Sequence, residues 1–199
     1  SRHPAPSAGL LVAAGDTAAL EVSFNVDAIG AFSLDLDVAS NDADENPYDI
    51  AISGTAAHST DDFVITVSGS SFTIPTTGGG YDYNVDCNND GVNEATAQTG
   101  NYTCSYASAG TYTIRIKDNS GAGTGFPWIY VNNGGDKLKL LTVEQWGTGK
   151  WSSMFRAFYG CSNLTVPAID APDLSQVTDM SYMFHGASAF DQHIGNWNT

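Results

Sequence analysis

The chain has 199 residues, 42% of them apolar, which fits one large domain or two to three small ones with real cores. Seven Lys and Arg stand against 22 Asp and Glu, giving a formal net charge of −15. That balance excludes a binder of nucleic-acid phosphates and of anionic membrane surfaces, and suits a protein that works in salty water or meets cations.

No apolar run approaches the roughly 18 residues of a membrane-spanning helix; the longest, Leu10 to Ala14, is far too short. Ser1-Arg2-His3-Pro4 does not open a signal peptide, so the chain reads as a processed or excised piece.

The first half alternates apolar and polar residues with period two, the mark of half-buried antiparallel strands. Leu20, Val22, Phe24 and Val26 form one such run; Phe32, Leu34, Leu36 and Val38 the next; Tyr48, Ile50 and Ile52 a third. The turn Asn41-Asp42-Ala43-Asp44-Glu45 separates the last two and reads as solvated. A Gly, Ala, Ser and Thr cluster near Gly54–Asp62 marks a boundary. Beyond it, strands are expected at Phe63–Val67, Phe72–Ile74, Tyr81–Val85 and Tyr112–Lys117, short and separated by Gly-rich turns, as in a sandwich. Phe126-Pro127-Trp128 follows a flexible Gly-rich loop and is expected to be exposed, with Trp128 and Tyr130 as a possible interaction surface.

From Asp136 the pattern changes. Met154 aligns with Met180, Phe158 with Phe184, Gly160 with Gly186 and Ser162 with Ser188, all at a period of 180 − 154 = 26, and Leu164 meets Phe190. A unit of this length cannot bury its apolar face alone and is expected to stack on its neighbours. Trp146 and Trp151, which precede the repeats, are expected to cap their apolar end. His185 and His193 lie within one repeat and could share its surface; the spacing of the histidines matches no zinc site.

Of the three cysteines, Cys87 and Cys104 flank a Gly- and Asn-rich stretch, and Cys161 sits in a different environment. The expected count is one disulfide, Cys87 to Cys104, stabilising by roughly 3 kcal/mol, and one buried free thiol. The loop that begins at Cys87 also carries the sharpest candidate site. Asp86, Asn88 and Asp90 occupy positions one, three and five, followed by Gly91, as in the first half of a calcium loop. With Glu94 and the Val92 carbonyl they offer Ca²⁺ five or six oxygens, although position twelve is Ala97 instead of the usual Glu. The competing reading is a hairpin turn built from Asn, Asp and Gly for backbone reasons. Catalytic motifs such as G-x-S-x-G or H-E-x-x-H do not occur, and no enzyme activity is expected.

The run Val177-Thr178-Asp179-Met180, Met183-Phe184, Ala187, Phe190-Asp191-Gln192, Ile194, Trp197 and Thr199 closely resembles the BspA-like leucine-rich repeat of bacterial surface proteins. It departs at Asp191, where that pattern usually has Asn. Gly110 to Ile114 and Glu144 to Gly147 look like the β module that precedes such repeats. Gly30 to Leu34, Glu45 to Tyr48 and Ile52 to Ala56 resemble the end of an ASH-like (choice-of-anchor D) immunoglobulin-type domain.

The resemblances imply a mainly β chain: a partial ASH-like sandwich over residues 1–57, a second immunoglobulin-like sandwich over 58–135, and over 136–199 the cap and first units of a leucine-rich repeat solenoid. They also imply a secreted or cell-surface location and adhesion to an extracellular protein or glycan. An incomplete first sandwich would expose strand edges, so copies of the chain joined by strand donation into a filament or sheath form an alternative. A calcium-dependent glycan-binding module is another.

Overall fold

A computed structural model describes residues 30–38 and 48–198. The strand expected at Leu20–Val26, the acidic turn Asn41–Glu45 and Thr199 lie outside the described residues. What is described is mainly β, with seven strands and, among the described residues, no helix: β1 (Gly30–Val38), β2 (Tyr48–Ala56), β3 (Phe63–Ile74), β4 (Tyr83–Asp86), β5 (Ala95–Gln98), β6 (Tyr102–Asp118) and β7 (Leu140–Gln145). No helix there is long and apolar enough to cross a membrane.

β1 and β2 run antiparallel in unbroken register, from Gly30 opposite Ala56 to Val38 opposite Tyr48. Among the described residues they pair only with each other. The remaining strands form one five-stranded antiparallel sheet in the order β5-β4-β6-β3-β7.

Alternation sets the two faces of this sheet. Register places Val143, Ile65 and Ile114 side by side, and Phe63, Ile116 and Val85 in the next such row; every one of these side chains is buried. The opposite face carries Thr142, Thr66 and Thr113 in a row, with the Thr66 and Thr142 hydroxyls hydrogen-bonded. Farther along that face Arg115 is buried, its guanidinium donating to the Ser59 carbonyl (3.0 Å) and to Asp62 (3.1 Å).

The strands expected at Phe63–Val67 and Phe72–Ile74 are one 12-residue strand. Its register shifts between Gly69 and Ser71, which pair with Gly110 and Ser105 of β6, so β6 loops out there. Gly69 supplies the positive φ of 117° that such an irregularity requires.

Turn-rich chain from Phe126 onward covers the inner face of the sheet. Phe63 stacks on Phe126 (6.0 Å) and Trp146 (5.8 Å) and meets Trp151 edge-on (5.0 Å). Phe126, expected to be exposed, is buried against Tyr81, Tyr83 and Trp151 instead, because the Gly-rich loop before it folds back onto β4, with the Asp82 amide donating to the Gly125 carbonyl (2.9 Å). Trp146 and Trp151 do not cap an end. They are almost wholly buried where sheet and repeats meet, in one apolar core that runs without a break from Phe63 to Met183.

The 26-residue units lie one on another. The amides of Met154, Arg156, Phe158 and Gly160 donate to the carbonyls of Asp179, Ser181, Met183 and His185 at 2.8–3.0 Å. Backbone conformation repeats with the same period: Arg156 and Tyr182 have φ of 53° and 61°, Gly160 and Gly186 80° and 74°. Gly160 has little room for a side chain, since Asn133 packs where a Cβ would stand and the Gly186 backbone lies close by. One more level precedes these two. The Val131 and Asn133 amides donate to the carbonyls of Ala157 (3.2 Å) and Tyr159 (2.8 Å), so Val131, Ala157 and Met183 form a buried column.

β7 joins the two parts. It pairs antiparallel with β3 on one side and bridges in parallel to Thr165 on the other.

Candidate functional site

Two places combine chemistry with position. The first is the loop between β4 and β5. Asp86 ends β4 fully buried, and its carboxylate accepts the amides of Asp90 (3.3 Å) and Gly91 (2.9 Å). The register of β4 against β6 brings the Lys117 ammonium to 3.5 Å from the same carboxylate. Asp90 accepts the Val92 amide (2.9 Å), and Glu94 accepts the Cys87 amide (2.5 Å). Asn88 turns toward Asp90, donating to its carboxylate (3.0 Å) and accepting its amide (3.2 Å). Asn89 and Gly91 take the left-handed φ of 62° and 93° that so tight a path needs.

Carboxylate oxygens of Asp86, Asp90 and Glu94 all lie within 4.8 Å of one another. Three carboxylates against the single Lys117 ammonium leave two negative charges, which a divalent cation would balance. These oxygens accept the loop amides of Cys87, Asp90, Gly91 and Val92, the Asn93 side-chain oxygen is buried with no partner among the described residues, and Val92 is half exposed at the tip. The disulfide between Cys87 and Cys104 pins the loop to β6 with Cα atoms 5.6 Å apart, and the Tyr106 hydroxyl donates to the Cys87 carbonyl (2.8 Å). Lys117 was not legible as part of this site, because only strand register brings it there.

The second place is a ribbon of aromatic rings on the stack. Trp128 and Tyr130 meet at 5.0 Å, Tyr130 and Phe155 at 6.4 Å, Phe155 and Tyr182 at 6.5 Å, and Tyr182 and His185 at 5.6 Å; Tyr159 touches both Tyr182 and His185. The Arg156 guanidinium lies over Phe155 (4.8 Å) and Tyr182 (5.4 Å), within cation–π range. The rings come from three stacked levels, with Arg156 standing one period from both Tyr130 and Tyr182, so the ribbon crosses the units. Tyr182 is 52% exposed and His185 is exposed, while the others are half-buried. The Trp128 indole donates to the Phe155 carbonyl (3.0 Å), which fixes one end.

Trp128, Tyr130 and His185 therefore meet on one surface. His193 is exposed and, among the described residues, makes none of the ribbon's ring contacts. Cys161 is a buried free thiol, and burial pushes its pKa up to about 12.

The sequence profile of a family described as "Mycoplasma protein of unknown function, DUF285" matches residues 130–199. The matched segment opens at Tyr130, on the first of the three stacked levels, which the 136 boundary had split from the repeats. Gly134 stands one period before Gly160 and two before Gly186 in the sequence, but Asn133, with φ of 57°, is the residue that turns left-handed and packs on Gly160. No curated protein and no solved structure matches the chain.

Proposed function

We propose that this chain is a non-catalytic segment of a secreted or cell-surface protein, and that its 26-residue units are the start of a leucine-rich repeat solenoid whose ribbon face mediates adhesion or protein interaction. The observation that carries the reading is the constant ladder from Met154, Arg156, Phe158 and Gly160 to the next unit, which aligns aromatic rings of successive levels on one outer surface. Rigid aromatic area set around a cation suits recognition, since it is presented at low entropic cost. On this reading the sheet of β3 to β7 is an immunoglobulin-like module that carries the repeats, and β1 and β2 belong to a module before it.

Beads coated with the purified chain and offered to cells and extracellular matrix test this directly. Adhesion that Tyr182→Ala and His185→Ala weaken is the expected result. Coated beads that adhere no better than albumin-coated ones would remove the reading.

Among the described residues β1 and β2 pair only with each other, which favours a second reading, assembly of copies into an extracellular filament by strand addition. Electron microscopy at high concentration separates the two: regular fibres support the filament, isolated particles the adhesin.

A further inference from the structure

One groove on the ribbon face has polar chemistry that narrows the partner. It encloses about 430 Å³ between the far end of β3 and the 130–137 turn, a size suited to one small ligand unit. Phe72 and Leu140 form its apolar floor, and Tyr130 belongs both to the groove and to the ribbon.

Three side chains of this groove keep uncommitted donors. The Asn101 oxygen accepts both the amide and the hydroxyl of Thr76 (2.7 and 2.9 Å), and the Asn132 oxygen accepts Arg156 (2.9 Å). Each amide NH₂ is thereby left without a partner among the described residues. The Lys137 ammonium spends two of its three donors on Asn133 and, like Arg156, has no carboxylate partner among the described residues. Behind Asn132, outside the groove lining, the buried Arg156 Nε has no hydrogen-bond partner among the described residues. The acid in the groove, Asp136, is already taken up by the Thr73 amide (2.8 Å) and by Lys139 (2.7 Å). A donor-rich groove in a chain of net charge −15 calls for an acceptor-rich, anionic occupant.

The β3 edge decides between a peptide and a sugar. Beside the groove, Asp136 holds the Thr73 amide and Lys139 holds the Ser71 carbonyl (2.9 Å), so an extended peptide finds that edge closed to strand addition. What remains is a run of aromatic rings that starts in the groove, Tyr130 tilted 28° from Phe155 at 6.4 Å and Phe155 nearly perpendicular to Tyr182 at 6.5 Å, which offers a sugar ring apolar contact.

We infer that the groove and ribbon bind an acidic polysaccharide, with one carboxylated or sulfated sugar at Asn101, Asn132 and Lys137 and its neighbours laid along Tyr130, Phe155 and Tyr182. This rests on the adhesion reading and names its ligand class.

Isothermal titration of the whole chain with oligogalacturonate, heparin oligosaccharides, a neutral cello-oligosaccharide and poly-glutamate tests it. One or both acidic sugars bind, and which one does tells carboxylate from sulfate. Binding weakens as salt rises. Tyr130→Ala and Lys137→Gln each weaken it by about tenfold or more with melting temperatures close to that of the parent. No binding by either acidic sugar overturns the inference, as does poly-glutamate or the neutral sugar binding equally well. Coated beads that adhere regardless of sugar competitor and of both substitutions sink the groove while leaving the adhesion reading standing. Beads that never adhere sink adhesion, and the titration then decides the groove by itself.

Discussion

Phe158 and Phe184 lie ring over ring, centroids 5.5 Å apart and planes within 8° of parallel, one repeat period apart in the chain. Phe158 is fully buried and also touches Trp146; Phe184 is half-buried and stacks in turn on Phe190 at 3.9 Å. The same side chain at the same place in consecutive units makes a continuous aromatic column.

Phe158→Ala removes the buried member. It should cost about 3–5 kcal/mol, and Phe184→Ala less. The double substitution should show a coupling of about 0.5–1.5 kcal/mol. Urea unfolding of the three variants measures all of this, and additive losses would deny that the units support each other through this pair.

The thiols should behave in two classes. Without reductant, iodoacetamide at pH 8 should leave the folded protein unmodified, because burial holds the Cys161 thiol at about 12. After unfolding, one thiol per chain should react, since Cys87 and Cys104 are joined. Reduction should lower stability by about 3 kcal/mol, read as a shift of the urea midpoint. Mass spectrometry counts the adducts.

Calcium at the β4–β5 loop is a separable expectation. Millimolar Ca²⁺ should raise the melting temperature and EDTA should reverse the rise, because Asp86, Asp90 and Glu94 keep two uncompensated negative charges. Asp90→Asn should abolish the response and leave the ion-free melt nearly unchanged. A melt indifferent to Ca²⁺ means that Lys117 and the loop amides are the only partners these carboxylates have.

Acid should loosen the stack. Asp173 and Asp179 cap the turns that follow them: the Ser175 amide donates to Asp173 (3.0 Å) and the Ser181 amide to Asp179 (2.8 Å), and these serines hold both carboxyls below the usual range. A carboxyl with a depressed folded pKa contributes stability above its unfolded value, near 3.8, and loses it as pH falls through the folded value. Stability should therefore drop below about pH 4, and the Asp173→Asn, Asp179→Asn double variant should show a shallower drop. Circular dichroism melts between pH 2.5 and 6 provide the comparison. Asp62 works in the opposite sense: burial raises its pKa despite Arg115, so protonating it relieves a cost.

The period of the repeats was legible because the Met154/Met180 and Phe158/Phe184 identities mark positions packed into the core, fully buried in the first unit and half-buried in the next, where side-chain type is constrained. The first level was not, because Val131 and Asn132 stand 26 residues before Ala157 and Phe158 without resembling them, and Asn133 instead of a glycine takes the left-handed turn over Gly160. Alternation located the inner faces of β3 and β6 correctly. It says nothing about what covers them, and turn-rich chain leaves no period-two trace, so Phe126 was placed outside and the tryptophans at an end. The Gly69-Ser70-Ser71 run imitates a turn, and only pairing with β6 makes β3 one strand. The Asp86–Glu94 carboxylates were legible as a group because one tight loop must bring them together. The ribbon partners Phe155 and Tyr159 were not, since they meet Trp128 and Tyr182 only through stacking.

β7 has hydrogen-bonded neighbours on both flanks, β3 on one side and Thr165 on the other. No hinge separates the carrier sheet from the units it carries. A pull applied at the stacked units passes sideways into β3 and must shear several bonds at once. The six residues Leu140–Gln145 thus make the junction a mechanical weld.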